Sequence, residues 1–247
     1  MVTTSVMAMC IDHKRVECVV FAPLPLSLDE LMQQLGRGAR TLDYGAGHFL
    51  FDVAFLSECL SVIGSDALGL ANFTLVLQFL VQSEYCKRSL LQFHYGELEA
   101  PHLLQQRDSC CSSCDAFADG WVWRRYDATD DVLALCAFVE ATQATALGVW
   151  PAMTALTRPR RGGAAPLWSP TGLDIIARKW LVISIIAADA HSSSSRVLKF
   201  ASQLGPDARR GVQIAVGDDF EAAIHEKRRF CINFPEGCSV PPSWRDA

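Results

Sequence analysis

Leu42-Asp43-Tyr44-Gly45-Ala46-Gly47-His48-Phe49 is the stretch on which the reading of this chain turns. Thr41 to Tyr44 predicts the end of a short strand, Gly45-Ala46-Gly47 a tight turn, and Phe49 to Cys59 a helix by apolar spacing. In such a turn glycines let backbone approach a ligand, and the helix N-terminus offers free N–H groups to an anion. Leu60 to Gly64 predicts a second strand ending at Ser65-Asp66-Ala67. Leu70 to Val81 predicts a helix, and Leu90 to Tyr95 a third strand stopped by Gly96-Glu97. That order is β-α-β-α-β, the unit of a parallel sheet with crossover helices.

Outward from this core, Val16 to Phe21 reads as a strand, and Ser27 opens a helix carrying Leu28, Leu31, Met32 and Leu35 on one face. Residues 1–37 read as an N-terminal extension expected to pack on a domain at 38–247. On the C-terminal side Val132 to Leu135 and Trp180 to Ile186 read as buried strands. Glu140 to Leu156 and Arg196 to Leu204 read as helices. Val212 to Val216 and Arg229 to Phe234 alternate as final strands.

The order acid, Gly45-Ala46-Gly47, then Asp66 at the next strand end resembles the first motifs of class I S-adenosylmethionine-dependent methyltransferases. Phe93 to Glu97, Asp130 to Leu135 and the Arg158–Gly163 turn are similar to that family's later motifs. The resemblance implies a Rossmann-like α/β fold, a mostly parallel sheet with helices on both faces. It implies S-adenosyl-L-methionine as cofactor, held by Asp43, Gly45, Ala46, Gly47, Asp66, Ala67 and Glu97, with Glu140 beside the substrate. The expected activity is methyl transfer to a small molecule or protein, no catalytic residue being named. Three departures from the family pattern, among them His48 and Ala141, leave a catalytically inactive binding or scaffold protein as the alternative. Leu50 stands where a dinucleotide fingerprint wants its third glycine, which counts against an oxidoreductase.

Half of the residues are hydrophobic and a fifth charged, with a net charge of −5. That balance is globular, and it argues against a nucleic-acid partner held mainly through phosphates. Arg158-Pro159-Arg160-Arg161, Arg124-Arg125 and Lys227-Arg228-Arg229 read as separate solvated clusters. No secretory core follows Met1 and no apolar run approaches the roughly 20 residues of a membrane helix, so a cytoplasmic protein is expected.

Ten cysteines are many for such a chain. Cys10, Cys18, Cys59, Cys86, Cys136 and Cys231 sit among apolar neighbours, where a thiol acts as a small hydrophobe. Cys110, Cys111 and Cys114 lie in a polar turn. A zinc site there would need Cys231 and Cys238 to complete it, and their spacing does not suit. The sequence expectation is a loop of reduced thiols and no metal.

Overall fold

The computed structural model describes residues 16–22, 24–38, 45–50, 53–64, 66–104, 110–143, 175–188, 198–202, 212–217 and 220–247. In chain order these form β1 (Cys18–Phe21), α1 (Leu28–Leu35), β2 (Ala46–Phe49), α2 (Val53–Ile63), α3 (Ala67–Val81) and α4 (Lys87–His94). Then come α5 (Ser112–Ala118), β3 (Trp123–Asp127), α6 (Thr129–Gln143), α7 (Ile175–Ala188) and β4 (Leu198–Ser202). β5 (Val212–Val216), α8 (Phe220–His225), β6 (Cys231–Pro235) and β7 (Arg245–Asp246) complete the order. Two compact units divide the chain: Met1–Val76 with Ser202–Gly211, and Leu77–Ala201 with Val212–Ala247.

In the first unit β1 and β2 pair in parallel, Cys18 against Ala46 and Phe21 against Phe49. The stacked rings of Phe21 and Phe49 lie 4.7 Å apart at 8°. Ser27 caps α1, its hydroxyl accepting from the Glu30 N–H at 3.1 Å, while Glu30 accepts from the Leu26 N–H at 2.8 Å. This is the reciprocal logic of a capping box, reaching one residue further back. Leu28 and Leu31 then face the core with Phe21, Leu24, Leu56 and Phe73.

The second unit is built on the antiparallel sheet β6-β3-β7. α6 buries Val132, Leu135, Cys136 and Val139, a stripe at helical spacing. α7 buries Ala177, Leu181, Val182 and Ile183. β4 and β5 form a separate two-stranded sheet.

This overturns the expected Rossmann-like sheet. The described strands fall into three small sheets, of which β1–β2 is a parallel pair and β6-β3-β7 is antiparallel. Gly45-Ala46-Gly47 is no turn, because Ala46 and Gly47 lie within β2. Leu60 to Ile63 ends α2, Leu90 to His94 belongs to α4, Val132 to Leu135 to α6, and Trp180 to Ile186 to α7. Each is a short apolar run, which a strand and a buried helix share; the neighbouring residues continue the helical stripe. Leu198 to Ser202 is strand where a helix was expected. The predicted strands at 16–21, 212–216 and 229–234 and the helices near 28 and 70–81 do form. Asp43, the Arg158–Gly163 turn and residues 144–156 lie outside the described residues.

Candidate metal centre

Two chain reversals bring four thiols together. Tyr85 and Leu103 form an antiparallel bridge, and the Cys86 N–H donates to the His102 carbonyl at 3.0 Å. The buried Ser89 hydroxyl locks this return, its one proton shared between the carbonyls of Cys86 (2.9 Å) and His102 (3.1 Å) while its oxygen accepts from the His102 N–H (3.0 Å). A serine inside a helix commonly turns back on nearby backbone in this way. The chain then reaches Cys110, whose N–H donates to Asp115 Oδ1 at 3.3 Å as α5 begins.

The Sγ atoms of Cys86, Cys110, Cys111 and Cys114 all lie within 4.8 Å of one another. The sulfurs of Cys86 and Cys110 are 3.6 Å apart. A tetrahedral zinc with bonds of about 2.3 Å would set its sulfurs about 3.8 Å apart. The cluster is therefore near coordination size already. Cys86 and Cys114 are buried, and Cys110 and Cys111 partly so.

Helix geometry favours negative charge at this point. Cys86 is the N-cap of α4 and Cys111 the N-cap of α5. Both sulfurs are left at the positive ends of their helices. The Lys87 N–H donates to Cys111 Sγ at 3.4 Å. Burial pushes the Cys86 thiol up, but hydrogen bonds from the Ser89 and Arg88 backbone and from Cys110 and Cys114 bring it below its ordinary value. Cys110 moves the other way, raised by burial and by its contact with Cys86. Of this pair, Cys86 ionises first.

Lys87 ties the cluster to α3. Its ammonium donates to the carbonyls of Phe79 (2.5 Å), Leu80 (3.1 Å) and Gln82 (2.5 Å), which close the end of that helix. It also lies over the Phe79 ring, 5.4 Å from the centroid. Burial lowers its pKa to about 8, with Cys111 and Cys86 working against that fall.

Of the other thiols read as core filler, Cys59 and Cys136 are buried, Cys231 is half-buried, Cys18 is exposed, and Cys10 lies outside the described residues. Burial raises Cys59 to about 11 and Cys136 to about 12, so both are core groups rather than ligands. Cys231 and Cys238 are not part of the cluster. The fourth thiol is Cys86, read in the sequence as core filler. A signal was present in Tyr85-Cys86-Lys87-Arg88, a cysteine beside two cations at a helix start.

The residues expected to hold S-adenosyl-L-methionine are not gathered by one sheet. Gly45, Ala46, Gly47, Asp66 and Ala67 fall in the first unit, and Glu97 and Glu140 in the second. Gly47 packs on the end of the Leu35 side chain, which a Cβ there would push aside. Asp66 precedes α3, its Oδ1 accepting from the Leu68 N–H at 3.1 Å and its carbonyl from Leu70 at 2.9 Å. Its carboxylate serves as a helix cap. Ala67 is the exposed first residue of that helix. Gly96 has φ +74°, and the N–H groups of Gly96 and Glu97 return to the carbonyls of Phe93 (3.1 Å) and Gln92 (2.8 Å). This is a Schellman stop for α4, so exposed Glu97 ends a helix rather than a strand. Glu140 is exposed near the end of α6.

No protein-family profile matches the chain. It is similar to a curated protein of Caenorhabditis elegans described as "Putative ATP-dependent DNA helicase Q1", with 24% identity over 116 residues. The match takes in 47% of this chain and 18% of that protein, so the chain spans less than a fifth of its relative's length. Among the described residues no helix is long and apolar enough to cross a membrane.

Proposed function

We propose that Cys86, Cys110, Cys111 and Cys114 hold a structural zinc ion, and that the chain serves as an accessory region of a DNA-helicase-related protein. The proximity of the four Sγ atoms, all within 4.8 Å, carries the metal reading. Four thiolate ligands suit zinc and leave no open position for a substrate, so the metal's part would be architectural. It would fix α4 against α5 across the short return at His102. The helicase part rests on the similarity to the Caenorhabditis elegans protein. Methyl transfer has no comparable support, because its cofactor residues were to be gathered by a sheet that these elements do not build.

Metal analysis of protein purified without added zinc tests the metal reading. One equivalent of zinc is expected, falling to a small fraction of that in Cys114→Ser. Metal-free protein that melts at the same temperature with and without added zinc would refute it.

A further inference from the structure

The fold assembles a cationic cleft that the sequence leaves scattered. Lys227, Arg228 and Arg229 follow α8, and Arg245 lies in β7; all four line one cavity of about 390 Å³ with Asp127 and Asp130. Strand pairing sets Arg245 opposite Asp127, which places it beside the 227–229 run.

The cations are not all neutralised within the cleft. Arg228 is engaged by Glu226 at 2.5 Å, and Arg229 stands 3.9 Å from Asp127 with most of its side chain exposed. Arg245 faces the same carboxylate from β7, while among the described residues Lys227 forms no ion pair. With Glu226 on Arg228, four cations face three carboxylates, which leaves one positive charge in excess in a chain whose net charge is −5. A second feature sets Lys227 apart. Its φ is +51°, the only positive value at a non-glycine residue among those described. A glycine would occupy that helix-end position with less strain, yet the position carries an ammonium.

We propose that this cleft binds a phosphate group. Arginine offers a planar fork to phosphate oxygens, and lysine adds a mobile point charge. The cleft is open at the surface, where a phosphate could come from a nucleic-acid backbone or from a free nucleotide. This site is independent of the thiol cluster, and the zinc content of each variant is measured alongside binding.

Fluorescence anisotropy with a labelled oligothymidylate supplies one arm, and competition by inorganic pyrophosphate and ADP the other. Arg229→Gln/Arg245→Gln should weaken oligonucleotide binding at least tenfold, and flatten its dependence on log salt by about 1.4, at about 0.7 per lost contact. A backbone site is displaced weakly by ADP, whereas a nucleotide site is displaced by ADP at low concentration. Lys227→Gly is the sharper variant, because it should raise the melting temperature while weakening binding. A parent protein that binds none of these probes at low salt would overturn the proposal. So would variants that keep full zinc and bind as tightly as the parent.

Discussion

Asp131 accepts a hydrogen bond from the indole N–H of Trp244 at 2.8 Å, joining residues 113 positions apart. Its other oxygen takes the Arg178 guanidinium at 3.0 Å, with both side chains close to fully buried. One carboxylate thus ties α6, α7 and the C-terminal segment together. Trp244 also packs against Tyr126 and Phe234, with ring centroids 6.0 and 6.3 Å away. Asp131→Ala leaves Arg178 charged and the indole unpartnered, so a loss of about 3–5 kcal/mol is expected. Urea unfolding measures it, and Trp244→Phe should cost less because the ion pair survives. Equal losses from the two variants would assign the effect to packing rather than charge.

Zinc removal should loosen the second unit. A ligand bound only by the native state at about 100 times its dissociation constant adds roughly 2.7 kcal/mol, so chelation should remove at least that much. Calorimetry with and without a chelator measures the change, and zinc should restore the original melt. Cys59→Ala, which alters a core thiol of the first unit, should leave zinc content unchanged.

Lys87→Met should destabilise the protein by about 1–3 kcal/mol, because the carbonyls of Phe79, Leu80 and Gln82 lose their shared donor. Lys87→Arg should not restore the parent melt, because a planar guanidinium cannot bring one nitrogen to three converging carbonyls. A thermal series of the three proteins decides the matter.

Asp127 gives stability a defined pH dependence. The Thr129 hydroxyl and N–H both donate to its Oδ1, and they hold the carboxyl below its ordinary range. A group depressed in the folded state stabilises above its unfolded pKa of about 3.9, and that contribution disappears as pH falls through the folded value. Asp127→Asn should therefore melt below the parent at pH 6, with the gap closing in acid. A gap that stays constant down to pH 2 would mean that charge is not involved.

Asp66→Ala should cost about 0.5–2 kcal/mol by uncapping α3. Adding S-adenosylhomocysteine should move neither melt. A stabilising shift in the parent that is absent from Asp66→Ala would return this carboxylate to a ribose-binding role.

How much was legible follows from which patterns are local. Ser27 and Glu30 announce α1 within four residues, and the alternation in Val212–Val216 and Cys231–Pro235 reads directly as strand. Val132-Leu133-Ala134-Leu135 does not, since its helical identity depends on Cys136 and Val139 continuing the buried stripe. Gly45-Ala46-Gly47 misled for a different reason. Glycines serve turns and close packing alike, and only the Leu35 contact reveals which applies. The thiol cluster was partly legible as Cys110, Cys111 and Cys114. Cys86 was not, because a reversal at His102 that no short motif announces carries it there.

The strand order β6-β3-β7 has a consequence for how the chain is made. β3 is the central strand, yet both of its partners are encoded after residue 230. A ribosome emitting about 5–20 residues per second would expose β3 with two bare edges for several seconds before either neighbour emerged. The four thiols face no such wait, since all lie between residues 86 and 114. The metal-binding segment can thus close on itself first, leaving a finished anchor beside a strand that still awaits its sheet.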